Sequence, residues 1–409
     1  MYVYVLDRNG VPLMPTSRCG RVRILLKQGK AKVAKRTPFT IKLLYESTSY
    51  KQPVVLGIDA GSKTIGVSAT TEKQELYAAE VKPRNDITKN LDSRRDFRRA
   101  RRFRKKRYRK AKFDNRVKSK HKGWLAPSIE SKIHTHLRII DLVAKILPIQ
   151  KVVIETAEFD IHKLKNPKVS GIEYQLGEKY GERNTRQYIL HRDNYTCRCC
   201  GSKEGVLYVV PAERKATITP EDLYTVCRKC FKRHGETHEP YKFKKKRYFT
   251  HPTFMGIMRK TLIARAKEKF PNLQIEETDG YITKGVREQY NISKSHIADA
   301  RCISGNPLAK VLPYKFLYKA VRTKNRQIHK AAISKGGYRK LNQLPKYVFG
   351  FQLFDKVRYK GKAGFIFGRR KSGSFSIKTL NGDVLSAGVT YKKLKLLEKC
   401  QSLLCEIIS

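Results

Sequence analysis

Acidic residues are scarce in this chain. Asp and Glu number 35 against 89 Lys and Arg over 409 residues, a formal charge of +54. A globular protein with that field repels itself unless a polyanion neutralises it. Long apolar runs are missing too: no stretch reaches 18 apolar residues, which excludes a membrane-spanning helix. The positive charge is spread over most of the chain, which argues against a membrane surface as the polyanion and leaves nucleic acid. The opening residues Met1-Tyr-Val-Tyr-Val-Leu-Asp have no basic stretch leading into an apolar one, so the expectation is a chain without a secretory signal. Cysteines number only nine, and four of them form two CxxC pairs. Without an export signal, that usage points to a reducing compartment and a metal site rather than disulfides. The length suits two to four domains with a sizeable buried core.

Along the chain, residues 1–50 alternate short apolar runs with Gly, Pro and basic residues and read as a small basic α+β domain, with candidate elements at Val3–Leu6, Arg23–Leu26 and Phe39–Leu44. Val54-Val-Leu-Gly-Ile-Asp59 reads as a buried strand, Ile65–Thr70 as a second and Glu75–Val81 as a third. Between Arg94 and Lys112, 13 of 19 residues are Lys or Arg. The stretch from Asn85 to Lys122 holds no Pro or Gly, which permits a helix. An amphipathic helix is expected over 128–146, then a buried strand Lys151-Val-Val-Ile-Glu155. Residues 178–250 read as an insertion. Helix 252–269, strand Leu273–Glu277 and helix 293–304 resume the α/β style. From Phe349 to Leu397 the pattern is strand-like, with turns at Lys360-Gly, Ser372-Gly and Asn381-Gly382, the last a good hairpin signal. That end reads as a small basic barrel-like β domain.

An aspartate in an apolar strand is expensive unless something binds it. Asp59 is one such residue, Glu155 ends a Val-Val-Ile run in the same way, and Asp299 lies one helical turn after His296 on the same face. A lone buried carboxylate is more often a hydrogen-bonded core residue, and Asp before Gly can be plain turn chemistry. The combination, in a chain this basic, points to divalent metal. Three carboxylates and a histidine suit a pair of Mg²⁺ ions, about 3.5–4 Å apart, that clamp a phosphodiester. His296 could take a proton from water or help hold a metal-bound one.

The two pairs Cys197-Arg-Cys-Cys200 and Cys227-Arg-Lys-Cys230 have 26 residues between them. Four thiolates at that spacing suit a closed, structural tetrahedral Zn²⁺ site, with Cys199 as a possible substitute ligand. The arginine-rich run interleaves Phe97, Phe103 and Tyr108 with cations. It reads as a helix offering phosphate contacts on several sides, the bland alternative being a disordered basic tail or a nuclear-localisation-like patch.

Gly57-Ile-Asp-Ala-Gly-Ser-Lys-Thr-Ile-Gly-Val, Val152-Val-Ile-Glu-Thr-Ala-Glu-Phe-Asp and Ser295-His-Ile-Ala-Asp-Ala resemble the three split pieces of a RuvC nuclease, an RNase-H-like fold. Their order and spacing are similar to the IscB family of transposon-encoded RNA-guided nucleases. Val11-Pro-Leu-Met-Pro15 resembles the motif of that family's N-terminal PLMP domain, and the arginine run resembles its bridge helix. Gly280-Tyr-Ile-Thr-Lys284 fits, as do Phe351-Gln-Leu-Phe-Asp-Lys-Val and Phe365-Ile-Phe-Gly-Arg-Arg. The resemblance implies an α/β fold with these parts: PLMP domain 1–52, RuvC segments 53–83, 126–177 and 251–311, bridge helix 84–125, HNH-like zinc module 178–250, and a C-terminal basic β-rich domain 312–409 that reads the motif flanking the target. It implies that Asp59, Glu155, His296 and Asp299 form the RuvC site, with Asp59, Glu155 and Asp299 on magnesium.

Tyr188-Ile-Leu-His-Arg-Asp-Asn-Tyr-Thr-Cys resembles the start of an HNH nuclease domain. Where active members carry paired histidines, this chain has Val210 and Pro211, neither able to accept a proton or bind metal. Asp222 and Phe231 stand where Asn and His are usual. The expectation is a zinc-stapled module without cleavage chemistry. Arg94, Arg95, Arg98, Arg99, Arg101, Arg102, Arg104, Arg107 and Arg109 are the implied bridge-helix contacts to guide RNA and heteroduplex. Arg322, Asn325, Arg326, Arg369 and Arg370 are the candidates at the C-terminal end, where the plain alternative is phosphate contact. The implied partners are a structured transposon-encoded guide RNA and double-stranded DNA, with no membrane, in a monomeric ribonucleoprotein of the prokaryotic cytoplasm. The expected product is a nick in the displaced strand. The alternatives are an RNA-guided DNA binder that does not cut and a guide-independent, structure-specific RuvC-like nuclease.

Overall fold

The computed structural model describes residues 1–48, 50–104, 123–156, 185–211, 223–237, 251–322 and 345–408, with the backbone alone for some helical residues, 97–104 among them. The chain divides into two compact units, one of Met1–Lys112, Ser131–Glu155 and Ala266–Ser409, the other of Phe113–Glu130 and Thr156–Arg265. In chain order come β1 (Tyr4–Leu6), α1 (Cys19–Lys27), β2 (Ala31–Lys35), β3 (Thr40–Leu43), β4 (Val54–Asp59), β5 (Ile65–Thr70) and β6 (Glu75–Lys82). Then follow α2 (Ile87–Arg104), α3 (Pro127–Ala144), β7 (Ile149–Glu155), α4 (Thr185–Arg192), β8 (Leu207–Pro211), β9 (Leu223–Cys227) and α5 (Arg228–Thr237). After these lie α6 (His251–Lys269), β10 (Gln274–Thr278), α7 (Gly280–Gln289), α8 (His296–Ile303) and β11 (Lys315–Ala320). The chain ends with β12 (Lys356–Tyr359), β13 (Lys362–Arg369), β14 (Ser374–Lys378), β15 (Val384–Thr390), β16 (Lys395–Glu398) and β17 (Leu403–Ile408). The protein is a mixed α/β chain with several sheets. Among the described residues, no helix is long and apolar enough to cross a membrane.

The first unit is built on a seven-stranded sheet of order β10-β7-β4-β5-β6-β11-β17. β4, β5 and β6 form an antiparallel meander. β7 runs parallel to β4, and β10 parallel to β7. β5 is buried at every residue and β4 at all but one, which is why both read as nearly continuous apolar runs rather than alternating ones. The small N-terminal sheet, β1-β3-β2, packs its own core of Val3, Val5, Val22, Leu25 and Ile41. Its Tyr4 is fully buried and donates its hydroxyl to the Leu76 carbonyl, 3.1 Å away. A buried tyrosine needs such a partner.

The expected strands Val54–Asp59 and Ile65–Thr70 are present with the expected bounds, and the strands that start at Glu75, end at Glu155 and lie near Ile275 are present with ends shifted by one or two residues. Two differences are larger. The segment 312–409 is not one separate β domain. β11 pairs in parallel with β6, and β17 pairs antiparallel with β11, so this segment lends two strands to the central sheet. Between them, β12 to β16 form a five-stranded antiparallel sheet of order β15-β14-β13-β12-β16 around Val357, Ile366, Phe375 and Ile377. The second difference is α7, a helix that lies ahead of α8 and was expected only as a motif.

Glu75, at the start of β6, is 1% exposed. It accepts from the Ser68 hydroxyl (2.5 Å) and from the Leu312 N–H (3.0 Å). Burial raises its pKa, and these hydrogen bonds and Arg301 recover only part of the shift. A carboxyl whose folded pKa is raised contributes stability at low pH and loses it as pH rises through the folded value. The stability difference between wild type and Glu75→Gln, followed by denaturant unfolding, is therefore expected to change above the ordinary glutamate pKa and level off once Glu75 is ionised in the native state. A difference constant from acid to neutral pH would refute this.

Candidate active site and cysteine metal centre

Asp59 and Glu155 stand at the ends of adjacent parallel strands. Ile58 and Ile154 are register partners, so the residue after each points to the same sheet face. Gly57 shares that face with Asp59 two residues on, and Gly66 lies directly across from Asp59 on β5. Both glycines are bare for a reason. A Cβ on Gly66 would sit 1.8 Å from the His296 carbonyl oxygen, and one on Gly57 would sit 1.9 Å from that of Ala300. α8 therefore lies with its backbone directly against the sheet, on the carboxylate face.

The helix is fixed at both ends. Ser295 caps it, its side chain accepting from the Ala298 N–H at 3.1 Å. At the other end a chain of hydroxyls ties it to β5. Asn306 donates to Thr70 (3.0 Å), Thr70 meets Ser304 (2.8 Å), and Ser304 donates to the Arg301 carbonyl (2.6 Å). This seating brings His296 Nδ1 to within 2.6 Å of Asp59 Oδ2. The hydrogen bond to Asp59 raises the His296 pKa against the opposing effect of partial burial. The Asp299 pKa is also raised, first by burial and then by the negative charge of Asp59, while Arg287, Lys294 and His296 pull it down. Arg287 Nε lies 3.1 Å from Asp299 Oδ1. The third carboxylate has its own clearance: a Cβ on Gly280 would come within 2.9 Å of Glu155 Oε1. The structure thus brings Asp59, His296 and Asp299 together, with Glu155 on the neighbouring strand.

Sequence reasoning had not singled out Gly57, Gly66, Gly280 or Arg287 for any role at this site. The signal for the first two was the spacing of a glycine two before Asp59 and another at its cross-strand position. Gly66→Ala is expected to cost on the order of 3 kcal/mol, because the clash is with backbone and cannot be relieved by a rotamer. Gly285→Ala, on α7 with nothing within 4 Å of the added atom, should be neutral or gain up to about 1 kcal/mol. Equal unfolding midpoints for the two variants would overturn the close-packing account.

The second centre is made of cysteines. The sulfurs of Cys197, Cys200, Cys227 and Cys230 all lie within 4.8 Å of one another, with Cys200 and Cys227 3.7 Å apart. Zinc–sulfur bonds of about 2.3 Å in a tetrahedron place sulfurs about 3.8 Å apart. These four could bind a structural metal such as zinc. A backbone knuckle shapes the first pair, with the Cys197 N–H on Ser202 O and the Gly201 N–H on Cys197 O, both 2.8 Å. Burial works against the Cys197 thiolate, but the N–H groups of Cys200, Cys227 and Cys199 bring its pKa down to about 6. Cys199 stands outside the set of four, its pKa pushed up to about 11 by burial and by the Cys197 charge. Among the described residues this is the set whose ligand atoms converge so closely; the three carboxylates are set more openly.

Val210 is buried in the cluster with Val226 and three of the cysteines, and Pro211 pairs with Leu223 at the end of the two-stranded β8-β9 sheet. Phe231 stacks on Tyr208, ring centroids 4.7 Å apart. These positions are occupied by packing groups. Asp193 is a structural anchor, bound by Arg192 (3.0 Å) and by the Thr225 N–H (2.8 Å). Asp222 lies outside the described residues.

Of the arginine-run candidates, Arg94 and Arg95 are on α2, Arg95 facing Asp92 at 3.3 Å. Arg98, Arg99, Arg101, Arg102 and Arg104 continue the same helix. Arg107, Arg109, Asn325 and Arg326 lie outside the described residues. Arg369 donates to the carbonyls of Lys346 and Phe351, so its guanidinium holds a turn. Arg370 is exposed and Arg322 partly so.

Residues 3–177 match the model of the RRXRR protein family. That span contains Asp59, Glu155 and α2, and Arg98-Arg-Ala-Arg-Arg102 has the arrangement the RRXRR name spells. No curated protein matches the chain.

Proposed function

We propose that this chain is an RNA-guided DNA nuclease related to the IscB family. Its RNase-H-like core of RuvC type would cut the displaced strand, and its HNH-like module would keep a metal-stapled fold without cutting. The observation that carries the reading is the seating of α8 on β4 and β5 through Gly57 and Gly66, which delivers His296 and Asp299 to Asp59. The order β10-β7-β4-β5-β6, a meander followed by two strands parallel to its first, supports an RNase-H-like core. The charge of +54 supports a polynucleotide partner.

The carboxylate set fits magnesium. Its donors are hard oxygens, Gly280 leaves Glu155 room, and the repulsion between Asp59 and Asp299 is what a cation would relieve. Asp59, Glu155 and Asp299 would hold the metal, which when bound supplies stabilisation of the charge developing at a phosphodiester. The chain's own groups do the rest. Asp59 accepts from His296 Nδ1 and fixes the ring, whose side chain is 49% exposed. With Nδ1 so engaged, Nε2 carries the lone pair and can take a proton from water. Arg287 offsets the Asp299 charge beside it.

The test uses protein purified with its co-expressed RNA, magnesium and a matched duplex bearing a different label on each strand and a library of flanking sequences. A cut confined to the non-target strand supports the reading. Tight guide-dependent binding with neither strand cut would make the protein a programmable DNA binder. Cleavage without RNA would make it a guide-independent nuclease.

A further inference from the structure

Phe349 is placed where a phenylalanine is least comfortable. Val348 and Phe351 exchange backbone hydrogen bonds of 2.9 and 3.0 Å, leaving Phe349 and Gly350 as the two tip residues of a tight turn. Their φ values are +48° and +80°. Positive φ at both tip positions is the pattern of a type I′ turn, which Asn-Gly fills at least cost. A bulky residue there is an outlier, and such strain persists only where the surrounding structure holds it, most often at functional sites.

Phe349 is 52% exposed, yet its ring has fixed partners. It lies face to face on Tyr391, centroids 4.1 Å apart and planes 5° from parallel. Gly373 lies against both rings; a Cβ there would come 2.8 Å from each. Arg369 braces the turn from below through the Lys346 and Phe351 carbonyls. The result is a stacked aromatic pair whose outer member, Phe349, is half-exposed.

Its surroundings are cationic. Lys346 lies 5.0 Å from the centre of the exposed Tyr347 ring, and Lys399 lies 6.0 Å from it. Tyr391 opens a one-turn 3-10 helix that continues with exposed Lys392 and Lys393. Arg370 and Lys371, next to Gly373, are exposed as well. A flat ring on a segment this rich in exposed cations is complementary to a flat ring carried on a polyanion.

We propose that Phe349, backed by Tyr391, is a stacking platform for an unpaired nucleobase of the bound polynucleotide. The proposal rests on the nucleic-acid reading above. It adds a site on the C-terminal five-stranded sheet that recognises a base by its π face and so tolerates any sequence.

The experiment uses the full chain and single-stranded oligonucleotides, one DNA and one RNA, each carrying a single 2-aminopurine, beside a blunt DNA duplex. Binding is read by anisotropy and stacking by 2-aminopurine quenching. Phe349→Asn suits the turn, so its melting temperature should not fall. Its affinity for a single strand should drop about 5- to 150-fold, the range for losing one base–aromatic stack. Quenching should be lost, and the salt dependence, which counts phosphate contacts, should stay the same. Phe349→Trp should restore both affinity and quenching. The strand type that suffers the loss identifies whether RNA or DNA supplies the base. Unchanged affinity and quenching in Phe349→Asn would overturn the platform and leave the nucleic-acid reading standing. No salt-dependent binding by the wild type would overturn both. If Phe349→Asn lost binding together with thermal stability, failure of Phe349→Trp to restore quenching would overturn the platform.

Discussion

Asp59→Ala is expected to abolish strand cleavage while leaving guide and target binding intact. Asp59 performs two tasks from one position. Its Oδ2 holds His296 Nδ1 at 2.6 Å, and its charge is one of the two that repel across the site and call for a cation. Truncation removes the anchor of the imidazole and a proposed metal ligand together. The loss is expected to be on the order of 10³-fold or more, the scale seen when one member of a group that acts as a unit is removed. Asp59→Asn separates the tasks, since an amide can still hydrogen-bond the ring but brings no charge. If it is as inactive as Asp59→Ala, the charge dominates; if it keeps a measurable rate, ring orientation does. His296→Ala should cost less, about 10²–10⁴-fold if the imidazole takes the proton from water. The measurement is single-turnover cleavage of a duplex with each strand labelled, alongside gel-shift binding at the same salt. Target-strand cleavage that survives Asp59→Ala would place active chemistry in the HNH-like module, against the packing roles of Val210 and Pro211.

Much of this site was legible in the sequence because its constraints are local. Asp59 and Glu155 stand out as carboxylates ending apolar runs, and the pair His296 and Asp299 follows from helical spacing. The cysteine set was equally plain, since CxxC fixes two sulfurs on one knuckle whatever the rest of the chain does. What was not legible depends on pairings far apart in the chain. β11 and β17 are short apolar runs, and nothing in either says that its partner is β6 or the other across more than 80 residues. Gly57 and Gly66 read as ordinary strand and turn glycines until α8 is laid on them, and Arg287 as one more cation among 89 until Asp299 is found beside it. A charge excess of this size hides the few cations that are structural. Arg369, expected to meet nucleic acid, holds the turn that carries Phe349.

Removal of the cysteine-bound metal is expected to unfold the module around it and leave the seven-stranded sheet folded. The described part of that module has little else to hold it. Its sheet is a single pair of five-residue strands, marginal on its own in water, and three of the five residues in its buried cluster are cysteines of the set that could bind a metal. Without metal, the sulfurs of Cys197, Cys227 and Cys230 stay buried with no ion to hold them together, and the knuckle at Gly201 closes on nothing. Structural zinc contributes an apparent free energy of about 10–16 kcal/mol in small modules at neutral pH, far above what so small a core supplies. The purified full chain should therefore carry one equivalent of zinc by elemental analysis. A zinc-selective chelator, or Cys227→Ser, should bring fast amide exchange to residues 185–211 and 223–237, while β4, β5 and β7 keep their protection. The two sheets lie in different compact units, so the loss need not spread. The nicking proposed for the carboxylate site offers a second readout. If the module only staples itself, chelation limited to zinc leaves the rate of nicking on bound target unchanged. If the rate falls with the module's protection, the module takes part in presenting the strand. Full protection of the module in a metal-free chain would mean that its fold rests on packing alone.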